Sequence, residues 1–423
     1  MNAPAQLDTL IEALTEAHAR THEVIADLTD AQLMVPQADI LNPFNWEVGH
    51  VAFFWEYFVL RQLGLRPSIR ADADALFDSA KVDHDTRWGL PLPPRAEILA
   101  YTDAIRDLVI AHLKAAPLTA ANSYLPWLSV YHEDMHAEAF TYMRQTVGYA
   151  PPKLDVSTQP VVEAGPLPGD AHVPGGEYRI GAQKGVSRFV FDNEQWAHEV
   201  SLPAFRIARA PVTQAEFAAF VDDRGYARRE LWSDAGWDWL READATHPVY
   251  WRRSVVGWQR RHFDAWHDLE PHRPVIHVNW FEAEAWCNWA GRRLPTEFEW
   301  EVAAAGPGKQ LLPWGDRPDA SRANLDWSRM DTIDVGALPE GDSVFGCRQM
   351  IGNVWEWTAS PFAPYPGFVK GPYQEYSEPW FHERKVLRGG AWATRSRMIH
   401  NEWRNFFQPW RRDVLAGFRT CAR

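Results

Sequence analysis

The sequence predicts an α plus α+β fold, in which an N-terminal four-helix bundle is followed by a separate α+β domain. Of the 23 tryptophans, 4 lie in residues 1–150 and 19 in residues 151–423, so the two parts differ in composition. Apolar residues recur at helical spacing in the first part, whereas the second consists of short apolar pieces separated by Gly, Pro, Asp and Asn. With 423 residues, 46% of them hydrophobic and 23% charged, the chain is long enough for each domain to bury its own core.

Four amphipathic helices are predicted in the first part. In the first helix, Leu7, Leu10, Leu14 and His18 recur at a spacing of three or four residues. The last helix is expected to start near Pro126, because proline is tolerated in the first turn of a helix. The predicted extents are residues 7–25, 42–63, 94–113 and 126–146. Four helices of this length are typical of an antiparallel bundle.

A linker is predicted over residues 151–176, between a domain at 1–150 and a domain at 177–423. The stretch from Ala150 to Gly176 contains six prolines and has no sustained helical or strand periodicity. Such a composition is typical of a linker or an extended strap over the surface. In the second domain, helices are predicted at Gln214–Asp222 and 281–289, within an otherwise irregular α+β arrangement with long loops.

Composition and charge limit the class of function. The formal net charge of −13 argues against nucleic acid or an anionic membrane as partner, because phosphate binding requires clustered Lys and Arg. There is no apolar run of membrane-spanning length, and the N-terminus is acidic where a secretory signal needs an apolar core. Cys287, Cys347 and Cys421 form no CxxC pair, which predicts reduced, buried thiols. We therefore expect a soluble, cytoplasmic protein that acts on small molecules, with no obligatory protein partner.

Two histidines in the fourth predicted helix are the strongest candidates for metal binding. His132 and His136 are four residues apart in HEDMHAE, so their imidazoles lie on one helix face, one turn apart. His50 lies in an apolar stripe of the second helix, where an imidazole is costly to bury unless it is paired or ligated. Glu138 is an alternative ligand, but it points about 200° around the helix from His136, which favours a supporting role. Three imidazoles suit Fe(II) acting on O₂ or Zn(II) acting on water, and the spacing does not choose between them.

A second histidine pair lies on the first predicted helix. His18 and His22 have the same four-residue spacing, but only His18 falls on the apolar stripe. For this pair we expect an ordinary polar helix face and no metal.

Longer motifs resemble a known enzyme family. NWEVGHVAFFWEYF (45–58) and HEDMHAE (132–138) resemble the DinB-type helical domain of the sulfoxide synthases of ergothioneine biosynthesis, which are non-haem iron enzymes with a three-histidine site. The stretches 191–220, 274–306, 352–360 (GNVWEWTAS) and 387–394 (LRGGAWAT) resemble the formylglycine-generating-enzyme fold, a relative of the C-type-lectin fold. The two resemblances cover nearly the whole chain, in the domain order of that family.

The resemblance implies roles for individual residues. His50, His132 and His136 would be the ligands of an Fe(2+) cofactor. Tyr373 and Tyr376 in GPYQEYSE match two tyrosines of the family, and Tyr373 would be the active-site acid that supplies a proton or hydrogen during catalysis.

A substrate-binding stretch is implied at EWRNFFQPWRRDVLAGFR. Asn405 would hold the carboxylate of hercynine (trimethylhistidine), and Phe406 would face its trimethylammonium group. Since a quaternary ammonium cannot donate an N–H hydrogen bond, aromatic faces must recognise it, and Trp46, Tyr376 and Phe406 could form a cage.

The sequence departs from the family pattern at the place of the second substrate. Two arginines normally bind the carboxylates of γ-glutamylcysteine; here Arg87 is present and His84 stands in place of the other. Phe407 stands where the family has an acidic residue. A zwitterionic donor therefore loses a cationic and an anionic partner, although the basic pair Arg411 and Arg412 keeps such a donor possible.

A branch of the same architecture that makes selenoneine is the better match. DALFDSAKVDHDTRWGLPLP (74–93), HEDMHAEAF (132–140) and DVLAGFRTCAR (413–423) resemble that branch, which joins hercynine to a selenosugar with iron and O₂. The first alternative is a sulfoxide synthase that uses γ-glutamylcysteine or cysteine. Two further alternatives are a copper-dependent formylglycine-generating oxidase, which the dispersed cysteines do not fit, and a non-catalytic sugar-binding protein.

Overall fold

The chain folds into two compact units, Met1–Asp155 and Val156–Arg423, in a computed structural model that describes residues 3–115, 117–186 and 188–423. The division falls inside the segment predicted as a linker. Each unit has its own core and is described separately.

The first unit is a helical bundle. α1 packs against α4 and α5, and α2 packs against the same two helices. The four predicted helices correspond to α1, α2, α4 and α5, so the helical fold class is confirmed; α2 continues as a π-helical turn over Glu56–Arg61. The helices are α1 (Ala3–Glu23), α2 (Phe44–Trp55), α3 (Ala73–Phe77), α4 (Arg95–Ala115) and α5 (Ala120–Val147).

The predicted start of the fourth helix is wrong. α5 begins at Ala120, where Thr119 and Asn122 exchange side-chain-to-backbone hydrogen bonds in a capping box. Pro126 therefore lies inside the helix, and the cap on Thr119 sets the start. The helix ends at Gly148, whose φ of 72° is a left-handed conformation that glycine adopts without strain.

The second unit is an α+β structure with long loops, as predicted. Its larger sheets have the strand orders β1-β4-β13-β8 and β11-β10-β9-β12, and the smaller ones are β2-β3 and β5-β6-β7. Its helices are α6 (Gln214–Asp222), α7 (Asp234–Glu242), α8 (Trp280–Trp289) and α9 (Glu297–Ala305). Its strands are β1 (Asp170–Val173), β2 (Gly176–Ile180), β3 (His198–Leu202), β4 (Phe205–Ala208), β5 (Trp251–Arg253), β6 (Trp258–His262), β7 (Ala265–Asp268), β8 (Arg292–Arg293), β9 (Trp355–Pro361), β10 (Lys385–Arg388), β11 (Asn405–Phe407), β12 (Ala416–Gly417) and β13 (Cys421–Ala422).

Part of the predicted linker is structured. β1 lies within residues 151–176 and pairs antiparallel with β4, from Asp170 opposite Ala208 to Val173 opposite Phe205. Before it, the backbone N–H groups of Ala164 and Gly165 donate to Asp334, each at 2.9 Å. The linker prediction is therefore wrong for β1: its residues Asp-Ala-His-Val do alternate between polar and apolar, but a run of four residues is too short to stand out among the prolines and glycines around it.

Most of the aromatic side chains of the second unit are structural. Trp300, Trp327, Trp355 and Trp357 are all no more than 1% exposed. The three cysteines are buried free thiols, as predicted. Among the described residues, no helix is long and apolar enough to cross a membrane.

We expect Gly49→Ala to destabilise the first unit, although alanine normally favours a helix interior by about 1 kcal/mol over glycine. A Cβ at position 49 would lie 2.2 Å from Cε1 of the Phe77 ring, which is fully buried. Phe77 must then move, at a cost of about 1–3 kcal/mol for overpacking. The measurement is the thermal unfolding midpoint. Gly89→Ala is the control, because nothing lies within 4 Å of a Cβ there; an unchanged midpoint for both variants would contradict the prediction.

Candidate metal centre and aromatic site

Three histidines converge in the interior of the helical unit. α2 contributes His50 and α5 contributes His132 and His136, and one ligand atom from each lies within 4.8 Å of the others. The Nε2 atoms of His132 and His136 are 3.2 Å apart. Two nitrogens bound to one ion at about 2.1 Å are separated by about 3.0–3.4 Å, so this spacing suits a shared metal.

Two hydrogen bonds fix the orientation of the imidazoles. Nδ1 of His50 donates to the carbonyl oxygen of Phe77 at 2.8 Å, and Nδ1 of His136 lies 2.7 Å from Oε1 of Glu47. In both rings Nε2 is therefore the nitrogen left for a metal. The ring of Phe54 stacks on His132, with 3.6 Å between centroids and an interplanar angle of 8°.

Burial keeps the imidazoles of His50 and His132 uncharged. Desolvation lowers the pKa of His50 to about 3, and it lowers the pKa of His132 well below the usual value. A neutral imidazole has a lone pair available for a metal at neutral pH. The donor set, its spacing and its protonation state thus fit a divalent first-row metal, and Glu138 is not part of this donor group.

Glu47 is a residue of the centre that sequence reasoning missed. It is 2% exposed, and its second oxygen, Oε2, is buried with no hydrogen-bond partner among the described residues. A carboxylate on the second nitrogen of a metal-binding histidine fixes the ring and raises its basicity. The available signal was a glutamate within the apolar run that contains His50, which is unusual unless the carboxylate has a partner.

The pair His18 and His22 has partners within the protein. Nε2 of His18 lies 2.8 Å from Oδ1 of Asp103, and Nε2 of His22 lies 2.9 Å from Oγ1 of Thr102. Possible ligand atoms of His18, His22 and Asp103 also lie within 4.8 Å of one another. However, Arg106 forms an ion pair with the Asp103 carboxylate at 2.9 Å. The guanidinium places a positive charge beside the donors, which disfavours a cation there.

The residues of the first unit that are expected to bind substrates contact other residues of the protein. The guanidinium carbon of Arg87 lies 3.8 Å from the Trp46 ring centroid, and Arg87 donates to Asn42 at 2.7 Å. Trp46 also stacks on His50, with 5.1 Å between centroids, and it is only 2% exposed. The Trp46 ring thus contacts both Arg87 and His50, and its part in an aromatic cage stays a prediction. Nε2 of His84 lies 2.9 Å from the carbonyl oxygen of Leu41.

An aromatic cluster in the second unit contains the predicted tyrosines. The rings of Tyr373 and Tyr376 stack at 5.5 Å between centroids, and Tyr376 lies 5.2 Å from Phe406. Phe406 also stacks on Phe362 at 3.9 Å and is 5% exposed. Tyr376 also contacts the ring of Phe191, at 4.9 Å between centroids, so both rings pack against other aromatic rings of the cluster. Burial raises the pKa of Tyr373, so its phenol keeps its proton at neutral pH.

β11 places Asn405 beside this cluster and is held by a buried ion pair. Arg404 is fully buried and donates to both oxygens of Glu297, at 2.8 and 3.0 Å. Such a bidentate pair fixes the strand geometrically. Oδ1 of Asn405 accepts the N–H of Phe406 at 2.8 Å.

The remaining predicted residues lie around the end of β11 and beyond it. Arg411 forms a bidentate pair with Asp413, at 2.6 Å for both contacts, and lies 5.3 Å from the Phe407 ring. Arg412 lies 5.3 Å from the ring of Trp239. The structure thus engages Arg411 and Arg412 with different neighbours, and they do not act as a pair.

We expect Glu47→Gln to weaken metal binding about tenfold to a hundredfold, because the carboxylate that orients His136 is lost while the ring and its packing remain. The measurement is the dissociation constant for Fe(II) under anaerobic conditions, with Co(II) absorption as a second probe. Glu56→Gln is the control: Glu56 is also a fully buried glutamate of this unit, but it binds Ser68 and Tyr101 instead of a histidine. Equal metal affinities in Glu47→Gln and the wild type would contradict the orienting role.

Known families and proteins match both units. The family described as DinB superfamily matches residues 13–143, and the family described as Sulfatase-modifying factor enzyme 1-like domain matches residues 156–423. Both fold resemblances are thereby confirmed. The chain is also 32% identical over 242 residues to the formylglycine-generating enzyme of Mycobacterium tuberculosis, covering 46% of this chain and 74% of that protein.

Two relatives match over their full length. The hercynine oxygenase of Mycolicibacterium thermoresistibile is 37% identical over 433 residues, which cover 97% of this chain and 94% of that protein. The hercynine oxygenase of Mycobacterium tuberculosis is 35% identical over 432 residues, covering 100% of this chain and 99% of that protein. The chain therefore belongs to the family of the hercynine oxygenases and is an oxidoreductase.

Proposed function

We propose that this enzyme uses iron(II) and O₂ to join hercynine to a selenosugar, in the biosynthesis of selenoneine. The observation that carries the proposal is the three-histidine centre in a full-length relative of the hercynine oxygenases. We choose the selenosugar as the second substrate because His84 and Phe407 stand where a dipeptide donor needs charged partners.

The hercynine part of the proposal is supported by the metal-binding donors and by the aromatic cluster. An imidazole substrate suits a centre of neutral nitrogen donors, and a trimethylammonium group suits the faces of Tyr373 and Tyr376. The names of the full-length relatives agree with this substrate.

The selenosugar part is supported by the loss of charged partners. Where a zwitterionic dipeptide donor needs a second cation, His84 contacts Leu41 and Asp85. Where it needs an anion for its ammonium group, Phe407 lies under Arg411. A neutral sugar requires neither partner.

The protein's own residues position the reactants and hold a proton. His50, His132 and His136 would hold the iron, which supplies the redox chemistry by which O₂ oxidises the two substrates. In the coupling the ring C–H and the donor Se–H bonds break and a C–Se bond forms; the two electrons and two protons released reduce O₂ to the level of hydrogen peroxide. Tyr373 keeps its Oη proton at neutral pH and is the group proposed to deliver it to the reduced oxygen.

A sulfoxide synthase that joins hercynine to γ-glutamylcysteine or cysteine is the second candidate. Arg87 favours it, because one of the two cations that bind the dipeptide in that family is retained. Asn42 and the Trp46 ring hold the Arg87 guanidinium in position. Arg87 therefore supplies one of the two cations that the dipeptide needs.

A competition assay separates the two candidates. Iron-loaded enzyme receives hercynine, O₂ and equimolar selenosugar, γ-glutamylcysteine and cysteine, and products are identified by mass spectrometry. We expect a hercynyl-selenium product or selenoneine in excess of any sulfoxide. A sulfoxide as the main product would establish the second candidate, and His136→Ala should form neither product because it lacks a ligand.

We expect Tyr373→Phe to retain iron and hercynine binding but to lower turnover about a hundredfold or divert the products, because one positioned acid contributes about 10²–10⁴-fold. Stopped-flow rates and product analysis provide the measurement. Tyr365→Phe is the control, since Tyr365 is another buried tyrosine of this unit, packed against Arg404 and outside the cluster. Unchanged rates and products in Tyr373→Phe would remove Tyr373 from the mechanism.

A further inference from the structure

Arg384 lies in the aromatic cluster of the second unit without an acidic partner. Its guanidinium carbon is 3.7 Å from the ring centroid of Trp380 and 5.6 Å from that of Phe406. Within the described part of the chain it forms no ion pair, and its Nε is buried without a hydrogen-bond partner. The side chain is only partly buried, so a ligand can reach the guanidinium.

The fully buried arginines of this unit are paired with carboxylates, and partly buried ones such as Arg209 and Arg329 donate to backbone carbonyl oxygens, whereas no side-chain hydrogen bond of Arg384 is seen within the described residues. Arg404 binds Glu297 in a bidentate manner, and Arg419 binds both oxygens of Glu356, at 2.6 and 2.7 Å. Arg260 likewise donates to Glu270. A buried charge without a counter-ion is costly, and this unit avoids that cost elsewhere by placing a carboxylate on the guanidinium.

The surroundings of Arg384 increase this cost. Burial, followed by repulsion from Arg411, lowers the pKa of Arg384 to about 10, so it still carries its charge at neutral pH. Asp413 pairs with Arg411 and is not shared with Arg384. The exposed Glu383 acts favourably on the charge of Arg384 from a distance, but within the described residues the two form no ion pair. An anion supplied from outside the chain would remove the imbalance.

We propose that Arg384 binds the carboxylate of a substrate. The inference rests on the proposed function for its ligand, since hercynine carries a carboxylate next to the quaternary ammonium that the neighbouring rings suit. Asn405, to which the family resemblance assigns this carboxylate, uses its Oδ1 on the Phe406 N–H and could contribute only a neutral amide donor beside the charged Arg384. A guanidinium binds a carboxylate through two parallel N–H bonds, and the Trp380 ring holds its plane in place. A carboxylate donor such as γ-glutamylcysteine offers the same chemistry.

The stability of the ligand-free protein gives the first test. Removing a charge that has no partner should leave the thermal unfolding midpoint of Arg384→Gln unchanged or raise it. Arg404→Gln should lower the midpoint, because it leaves Glu297 buried and uncompensated. A clear fall in the midpoint of Arg384→Gln would show a structural role and overturn the proposal.

Ligand binding gives the second test. Isothermal titration of the full chain uses hercynine, its descarboxy analogue N,N,N-trimethylhistaminium, and γ-glutamylcysteine. We expect Arg384→Gln to weaken hercynine binding about tenfold to a hundredfold, as for a lost charged hydrogen bond, and to leave the analogue unaffected. Arg384→Lys should recover part of the affinity. Arg252→Gln is the control, because Arg252 also stacks on a tryptophan of this unit, at 4.0 Å from Trp266.

The outcomes separate this proposal from the proposed function. If hercynine binds equally to the wild type and to Arg384→Gln, or if the variant weakens both hercynine and its analogue equally, the role of Arg384 is overturned and the function stands. If only γ-glutamylcysteine binds, and does so through Arg384, the role stands and hercynine as substrate fails. If neither carboxylate binds the wild type, both proposals fail.

Discussion

The clustering of three imidazoles is the constraint on which the helical unit depends. Side chains of a type that titrates near neutral pH lie within 4.8 Å of one another, two of them buried and the third half-buried, so each must stay neutral or have a partner. Burial lowers the pKa of His50 and His132 enough for that. The rings are oriented by the Phe77 carbonyl oxygen, which contacts His50, and by the Glu47 carboxylate, which contacts His136.

This requirement explains why a glycine is needed in a helix interior. Phe77 can present its carbonyl oxygen to His50 only if α3 approaches α2 closely, and Gly49 provides the space because any Cβ would overlap the Phe77 ring. The same approach brings the Leu76 carbonyl to the indole N–H of Trp46, at 2.6 Å. Trp46 in turn covers His50, so backbone packing and ring orientation are coupled. A packing change in the short helix α3 therefore reaches the metal-binding nitrogen.

How far the sequence could predict this arrangement depends on whether a signal is local. The helix Gln214–Asp222 was predicted with the bounds it has, because Thr213 caps it and its apolar periodicity is complete within nine residues. The grouping of His132 with His136 follows from helical spacing alone. By contrast, β1 is defined by its pairing with β4, and Glu47 is paired with a residue 89 positions away. No local pattern contains either contact, and the missing partner of Arg384 is likewise visible only when its neighbours are known.

The charged side chains of the second unit bear on which substrates can bind. Arg404, Arg419 and Arg260 each cancel their charge inside the fold, so they contribute rigidity and no net attraction for a ligand. Among the described residues beside the tyrosine pair, Arg384 is the cation without a carboxylate partner, and it supplies one anion-binding group. A substrate with one carboxylate matches this group, whereas a donor with two carboxylates and an ammonium group needs further charged partners. Phe407 is uncharged and Asp413 cancels the charge of Arg411, so of the groups that the family resemblance assigns to such a donor, Arg87 in the first unit keeps its charge. The neutral second substrate that we propose needs none of these partners, because a sugar is bound through hydrogen bonds and apolar contacts.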